Sequence, residues 1–181
     1  MIIISCASTS EDCHHLIKMY DKNASIANIR DEAGFPVVYW PSFSNESTEI
    51  VSRLVQNCLS CININELYHE PVYPETIILS RIGAGGSYSR HADNCRQNEY
   101  GEWIPNHTPN RVVSAIYYLN SEFEGGEIVF DQISIKPYAG LLVVFPSNSE
   151  YVHEVRPVLS GVRYTMPIWF TDQQRCALTE F

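Results

Sequence analysis

The chain has 181 residues, 45% hydrophobic and 18% charged, which suits one domain with a sizeable core. A formal net charge of −9 and a pI near 5.0 exclude a nucleic-acid surface, which needs a basic balance. Met1-Ile2-Ile3-Ile4 is too short for a signal or transmembrane segment and no later run approaches that length, so a soluble, cytoplasmic protein with no membrane partner is expected. In that compartment the six cysteines are expected to be free thiols. The isolated Cys58-Leu59-Ser60-Cys61 has no second pair with which to hold zinc.

Cys13, Leu16, Ile17 and Tyr20 recur at helical spacing after Ser10, a good N-cap, and predict a helix over 11–22. Phe35 to Trp40 reads as a short strand ended by Pro41. Ile50, Val51, Leu54, Val55, Cys58 and Leu59 form an i, i+3/i+4 stripe that predicts a second helix over 46–61, packed on the outside of a sheet. A strand over 76–82 runs into Gly83, Gly85 and Gly86. These lack the Lys-Ser/Thr of a phosphate loop and lead towards a strand, so they are expected to turn the next strand inward. A polar loop over 94–110, holding Trp103, reads as part of a binding rim. Five strands are then expected over 111–119, 126–131, 139–146, 151–157 and 161–171, a spacing that suits a closed or sandwiched antiparallel sheet.

The stretch with chemistry in it is Tyr88-Ser89-Arg90-His91-Ala92-Asp93-Asn94. On an extended strand His91 and Asp93 leave the same face, whereas Arg90 points away and reads as a surface salt bridge. Asn94 is a candidate brace for the Asp93 carboxylate. His153, in another expected strand, supplies a third ligand. Two imidazoles and one carboxylate leave open positions on a non-haem Fe(II) ion for a co-substrate and O₂. Arg163 lies in Gly161-Val162-Arg163-Tyr164-Thr165-Met166-Pro167-Ile168-Trp169-Phe170 and shares parity with Thr165, Pro167 and Trp169. A buried guanidinium needs an anion, and its planar fork matches a carboxylate, so iron, an open face and this clamp together point to 2-oxoglutarate. Ser114, Ile116 and Tyr118 share a face of their own strand.

From about residue 75 to 171 the chain resembles the 2-oxoglutarate/Fe(II)-dependent dioxygenases of the prolyl hydroxylase group, which includes the prolyl 4-hydroxylase catalytic domains. Ser87 to Asn94 is similar to the metal strand of the oxygen-sensing prolyl hydroxylases. His91-Ala92-Asp93-Asn94-Cys95, with Tyr118-Leu119-Asn120-Ser121-Glu122-Phe123-Glu124-Gly125-Gly126-Glu127, is similar to the leprecan-type prolyl 3-hydroxylases. The resemblance implies a mostly β protein, a double-stranded β-helix (jelly roll) with N-terminal helices on the outer sheet face. Residues 1–181 would form one domain, with 1–74 as support and 75–171 as the jelly-roll core.

It implies Fe(II) held by His91, Asp93 and His153, with 2-oxoglutarate and O₂ as co-substrates and ascorbate as reductant. Arg163 and Tyr118 would receive the distal carboxylate of 2-oxoglutarate, and Ile116 and Trp169 would line its pocket. Tyr88 and Trp103 would stand on the substrate side. Arg81 occupies the place of a co-substrate tyrosine in the oxygen-sensing enzymes and could instead reach a substrate carboxylate, or equally be a charge at the sheet edge. The implied activity is hydroxylation of an aliphatic C–H, foremost in a prolyl residue of a peptide or protein, with succinate and CO₂ as co-products. A free amino acid or small metabolite is the alternative substrate, and a non-catalytic jelly-roll binding module the remote alternative. The oligomeric state stays open.

Overall fold

A computed structural model describes residues 1–27 and 29–179. The chain opens with β1 (Ile3–Cys6), α1 (Ser10–Ala27), β2 (Ile29–Arg30), β3 (Pro36–Tyr39) and α2 (Ser44–Ile64). A continuous run of strands follows: β4 (Tyr73–Gly83), β5 (Tyr88–His91), β6 (Cys95–Gln97), β7 (Trp103–Pro105) and β8 (Arg111–Tyr118). It continues through β9 (Phe123–Gly125), β10 (Ile128–Phe130), β11 (Ser134–Ile135), β12 (Leu141–Pro146), β13 (His153–Val155) and β14 (Val158–Thr171).

The major sheet is ordered β1-β12-β8-β14-β4-β3-β2, with β9 paired to one end of β14; the minor sheet is ordered β11-β10-β13-β5. Every pairing is antiparallel. The two sheets face each other as the expected double-stranded β-helix. Between them lies a small core of Tyr118, Ile128, Phe130, Ile135, Leu141, Val143 and Phe145. A larger core fills the other side of the major sheet, where Leu16, Tyr20, Leu54, Val55 and Cys58 of the helices meet Leu79, Tyr117, Met166, Ile168 and Phe170. Strand alternation sorts the two: odd and even positions of one strand serve different cores.

Both helices form where the periodicity puts them, and each runs beyond the expected bounds at both ends. The cap of α1 is Thr9, one residue before Ser10. Its Oγ1 accepts from Asp12 N at 3.1 Å, and its own N–H donates to Asp12 Oδ2 at 3.0 Å, a reciprocal capping box. Besides the β6–β7 hairpin, four short strands lie outside the expected set: β1, β2 and β11 close sheet edges, and β9 forms within the stretch before Gly126. The segment 94–110 is not a plain loop, because β6 and β7 make a hairpin within it. Pro167 sits in a central strand. On the β4 side the pairs Thr165↔Ser80 and Ile168↔Ile77 keep one register, and Pro167, which has no N–H to donate, lies between them; on its other side it is the register partner of Ile116 of β8. All six cysteines are free, Cys58 and Cys61 included. No helix of the described residues is long and apolar enough to cross a membrane.

Candidate active site

The minor sheet brings the two histidines together directly: His153 of β13 and His91 of β5 are register partners. Their ring centroids lie 4.4 Å apart. Asp93 follows β5 by two residues, and one ligand atom from each of His91, Asp93 and His153 lies within 4.8 Å of the others. His91 Nε2 stands 3.5 Å and His153 Nε2 4.0 Å from Asp93 Oδ1. The other nitrogen of each ring faces a carbonyl, His91 Nδ1 at 2.7 Å from Ser89 O and His153 Nδ1 at 3.0 Å from Tyr151 O. A carbonyl only accepts, so each Nδ1 carries the proton and each Nε2 presents a lone pair to the common centre.

Asp93 is oriented from the opposite side. Ser114 Oγ donates to Oδ2, and Trp169 Nε1 donates to the same oxygen at 3.2 Å, so Oδ1 alone faces the histidines. Ser147 Oγ in turn sits 2.8 Å from Ser114 Oγ. Trp169 is itself held, with Arg111 stacked 4.1 Å above its ring and bonded to Glu75 at 3.0 Å. Burial works against ionisation of Asp93, yet the neighbouring His91 and His153 imidazoles and the Ser114 hydroxyl hold its carboxyl well below the usual range. Burial pushes His153 down to about 4, which keeps its imidazole neutral. Burial also works to lower His91, but the adjacent Asp93 outweighs it and the net direction is up.

Arg163 and Tyr118 sit deeper, on the inner face of the major sheet. Arg163 is 2% exposed and Tyr118 fully buried, and the guanidinium lies 4.8 Å above the tyrosine ring. Arg163 has no ion-pair partner among the described residues, and its Nε and the Tyr118 hydroxyl are buried without a hydrogen-bond partner. Burying a guanidinium and a phenol in this state is costly, so the pair is built for an anion that completes it. The stem of Arg163 passes over Gly126 (φ +68°), where an added Cβ would come within 3.0 Å of its Cδ. The donor set of two imidazoles, one carboxylate and an unpaired fork therefore fits a divalent metal beside a dicarboxylic acid.

The remaining expected residues divide. Ile116 shares the inner face with Tyr118 and packs on the core between the sheets. Trp169, expected to line the co-substrate pocket, instead reaches the Asp93 carboxylate. Asn94 does not brace that carboxylate; its Nδ2 donates to Arg111 O at 2.9 Å. Tyr88 turns its ring beside His91, 6.2 Å between centroids, and its hydroxyl donates to Asp31 while Phe35 packs edge-on against it. It is thus a wall bonded to the β2–β3 turn. Arg90 points outward to Asp131 as its parity requires.

Arg81 is a correction. It alternates with Ile77 and Leu79 towards the helices and lies with Tyr20, Asp21, Arg30 and Tyr164 in a groove on the far side of the sheet. The inward positions of β4 belong to Ile78, Ser80 and Ile82. Trp103 is exposed on the β6–β7 hairpin. Behind that hairpin, Asn106 Nδ2 and Thr108 Oγ1 both donate to Asp93 O, at 3.1 and 2.8 Å, and His107 pairs with Glu32 at 2.5 Å. The C-terminal end of the segment 94–110 is thereby tied both to the metal strand and to the β2–β3 turn.

Ser114, Ser147, Arg111 and Ser80 are residues to which the sequence assigned no role. For Ser114 and Ser80 the signal was present in strand alternation, which puts them on the same faces as Tyr118 and Ile82. For Ser147 and Arg111 there was none, because only the folded sheets bring them near Asp93.

Comparison with known proteins follows the geometry. The fold matches that of the viral collagen prolyl hydroxylase of Paramecium Bursaria Chlorella virus-1 in its 2OG complex. That match has a TM-score of 0.74 at 19% identity, over 98% of this chain and 96% of that one. A prolyl hydroxylase of Trichoplax adhaerens, in complex with a hypoxia inducible factor oxygen degradation domain peptide fragment, gives a TM-score of 0.68 at 20% identity, over 99% and 87%. In sequence, prolyl 3-hydroxylase 2 of Gallus gallus is 40% identical over 96 residues, 47% of this chain. The chain spans only 14% of that relative's length. Residues 77–171, the strands that carry all three candidate ligands and the arginine, match the 2OG-Fe(II) oxygenase superfamily, and the chain belongs to that family.

Proposed function

We propose that this protein hydroxylates an aliphatic C–H of a prolyl or related residue in a peptide or protein, with His91, Asp93 and His153 as Fe(II) ligands and Arg163 with Tyr118 as the seat of 2-oxoglutarate. The observation that carries the reading is the convergence of the two histidines and Asp93 beside a buried, unpaired Arg163. When bound, iron and 2-oxoglutarate supply the O₂ chemistry that places oxygen on carbon, with succinate and CO₂ as co-products. The chain's own residues hold and orient. The Nδ1–H groups of His91 and His153 fix both rings on backbone carbonyls. Ser114 and Trp169 occupy one oxygen of Asp93 and leave the other for the metal. Arg163 and Tyr118 offer guanidinium and phenol donors to one carboxylate, in a site dry enough to strengthen both.

A prolyl peptide is supported by the sequence relative and by the two structural neighbours, each a prolyl hydroxylase by name. An exposed hairpin carrying Tyr100 and Trp103 beside the site offers aromatic surface for an extended proline-containing chain. The free amino acid alternative loses its main support, since Arg81 faces away from the cavity.

Succinate release in the presence of Fe(II), 2-oxoglutarate and ascorbate, with and without proline-rich peptides or free proline, tests the proposal. Peptide-driven turnover with one oxygen atom gained by the peptide is expected. His153→Ala should abolish it, and Arg163→Ala should raise the 2-oxoglutarate KM at least about thirtyfold, the loss typical of a charged pair broken on one side. Turnover driven only by free amino acids would overturn the peptide assignment, and an unchanged KM in Arg163→Ala would overturn the clamp.

A further inference from the structure

Across the inner face of the major sheet, three hydroxyl side chains stand in one row on three adjacent strands. Tyr118 of β8 is the register partner of Thr165 of β14, and Thr165 is the partner of Ser80 of β4. Arg163 lies two residues along β14 on the same face, opposite Ile82. All four polar residues are buried, Ser80 at 3% exposure. Its neighbours on that face of β4 are Ile78 and Ile82, so nothing about its surroundings on the strand favours a hydroxyl. The Ser80 Oγ is buried with no hydrogen-bond partner, in the same condition as the Tyr118 hydroxyl of its own row and Arg163 Nε of the next. An aliphatic side chain would fill that position without the cost of an unsatisfied hydroxyl. Three separate unpaired polar groups, from three strands, converge on one space and share one remedy: an anion with several acceptor lone pairs.

Tyr88 marks the outer limit of that space. Burial pushes its phenol up and Asp31 adds to the rise, while the Ser80 hydroxyl beside it and the Arg163 charge act in the opposite direction; the Ser80 Oγ comes near the Tyr88 hydroxyl without making a full hydrogen bond to it.

We infer that Ser80 donates its hydroxyl to the distal carboxylate of 2-oxoglutarate and, with Tyr118 and Arg163, selects a co-substrate that carries that second carboxylate. The inference rests on the co-substrate seat proposed above and adds a third strand to it. Ser80 would touch the co-substrate's far end and not the metal, so its effect belongs to co-substrate selection and leaves the metal ligands alone.

The test is calorimetric binding of two probes to the Mn(II)-loaded protein without oxygen. One is 2-oxoglutarate; the other is pyruvate, which keeps the 2-oxo acid head and lacks the distal carboxylate. Ser80→Ala should weaken 2-oxoglutarate about tenfold, as for one hydrogen bond to a charged group, and change pyruvate less than about twofold. Ser80→Thr, which retains a hydroxyl, should recover most of the loss, and the rise in Tm with 2-oxoglutarate should follow the same order. Equal affinity of wild type and Ser80→Ala for 2-oxoglutarate overturns the inference, as does an equal loss for both probes. Failure of the wild-type protein to bind 2-oxoglutarate at all would overturn the seat itself, a result distinct from either.

Discussion

At the scale of single residues, the Asp93 carboxylate is held from both sides. Two donors, Ser114 and Trp169, meet on Oδ2, and the two histidines face Oδ1. A carboxylate held this way offers a metal one oxygen and cannot rotate to offer two. Trp169→Phe keeps an aromatic ring under Arg111 while removing the N–H together with the rest of the indole. It is expected to weaken Mn(II) binding by at least about tenfold, the usual cost of losing a hydrogen bond to a metal ligand, while the far-ultraviolet spectrum stays unchanged. A titration giving wild-type affinity would show that Ser114 suffices alone.

This is also where sequence alternation did best and then stopped. Parity put Trp169 on the face of Arg163, which the fold bears out. It could not say that the indole would bend to Asp93, because that contact joins residues 76 positions apart. Arg81 fails for a related reason. Counting back from His91 gives a position and not a face, and β4 turns that position to the helices.

At the scale of elements, α1 depends on its first turn. Thr9 and Asp12 exchange hydrogen bonds, and Asp12 also receives Arg53 of α2 at 2.6 and 3.1 Å, so one carboxylate caps one helix and ties it to the other. The Arg53 hydrogen bonds, working against burial, lower the Asp12 pKa from 3.8 to about 2. The sign follows from that direction. The folded state holds the proton less tightly than the unfolded chain, so the stabilisation is complete above about 3.8 and is lost as pH falls through about 2. Because Arg53 is half exposed, solvent screening reduces its worth to roughly 1 kcal/mol. Urea unfolding should therefore find Asp12→Asn less stable than wild type by about that amount near neutral pH, with the gap closing towards about pH 2. A gap independent of pH would mean that the cap matters and the charge does not.

The pattern of the chain identified this helix and missed its cap by one residue. The helix itself follows from the spacing of Cys13, Leu16 and Tyr20. The choice between Thr9 and Ser10 follows from which hydroxyl the backbone turns towards Asp12, and that depends on how α1 leaves β1.

At the scale of the molecule, the candidate metal site joins the two sheets. His91 and His153 belong to the minor sheet, whereas Asp93 is held by Ser114 and Trp169 of the major sheet. Between the sheets the apolar core is small, and the larger core lies on the helix side. A divalent ion bound only by the folded state should stabilise it by about 2.7 kcal/mol at a hundredfold excess over Kd, which raises Tm by roughly 5–10 °C in a protein of this size. Calorimetry with Mn(II) and then with excess chelator checks this: the rise should reverse on chelation and be absent in His153→Ala. A rise that persists in His153→Ala would place the ion elsewhere.

What the sequence determined by itself was local and periodic. The stripes of α1 and α2, the alternation of the strands, the shared face of His91 and Asp93, and that of Arg163 and Trp169 all follow from bond geometry that repeats every 3.6 or every two residues. The tertiary structure alone decided which faces meet. It paired His91 with His153, left Arg163, Tyr118 and Ser80 buried without partners in one space, and turned Arg81 out of it. Those outcomes depend on register between strands far apart in the chain. That register is set by the packing of two whole cores, for which no short stretch of sequence carries a signal.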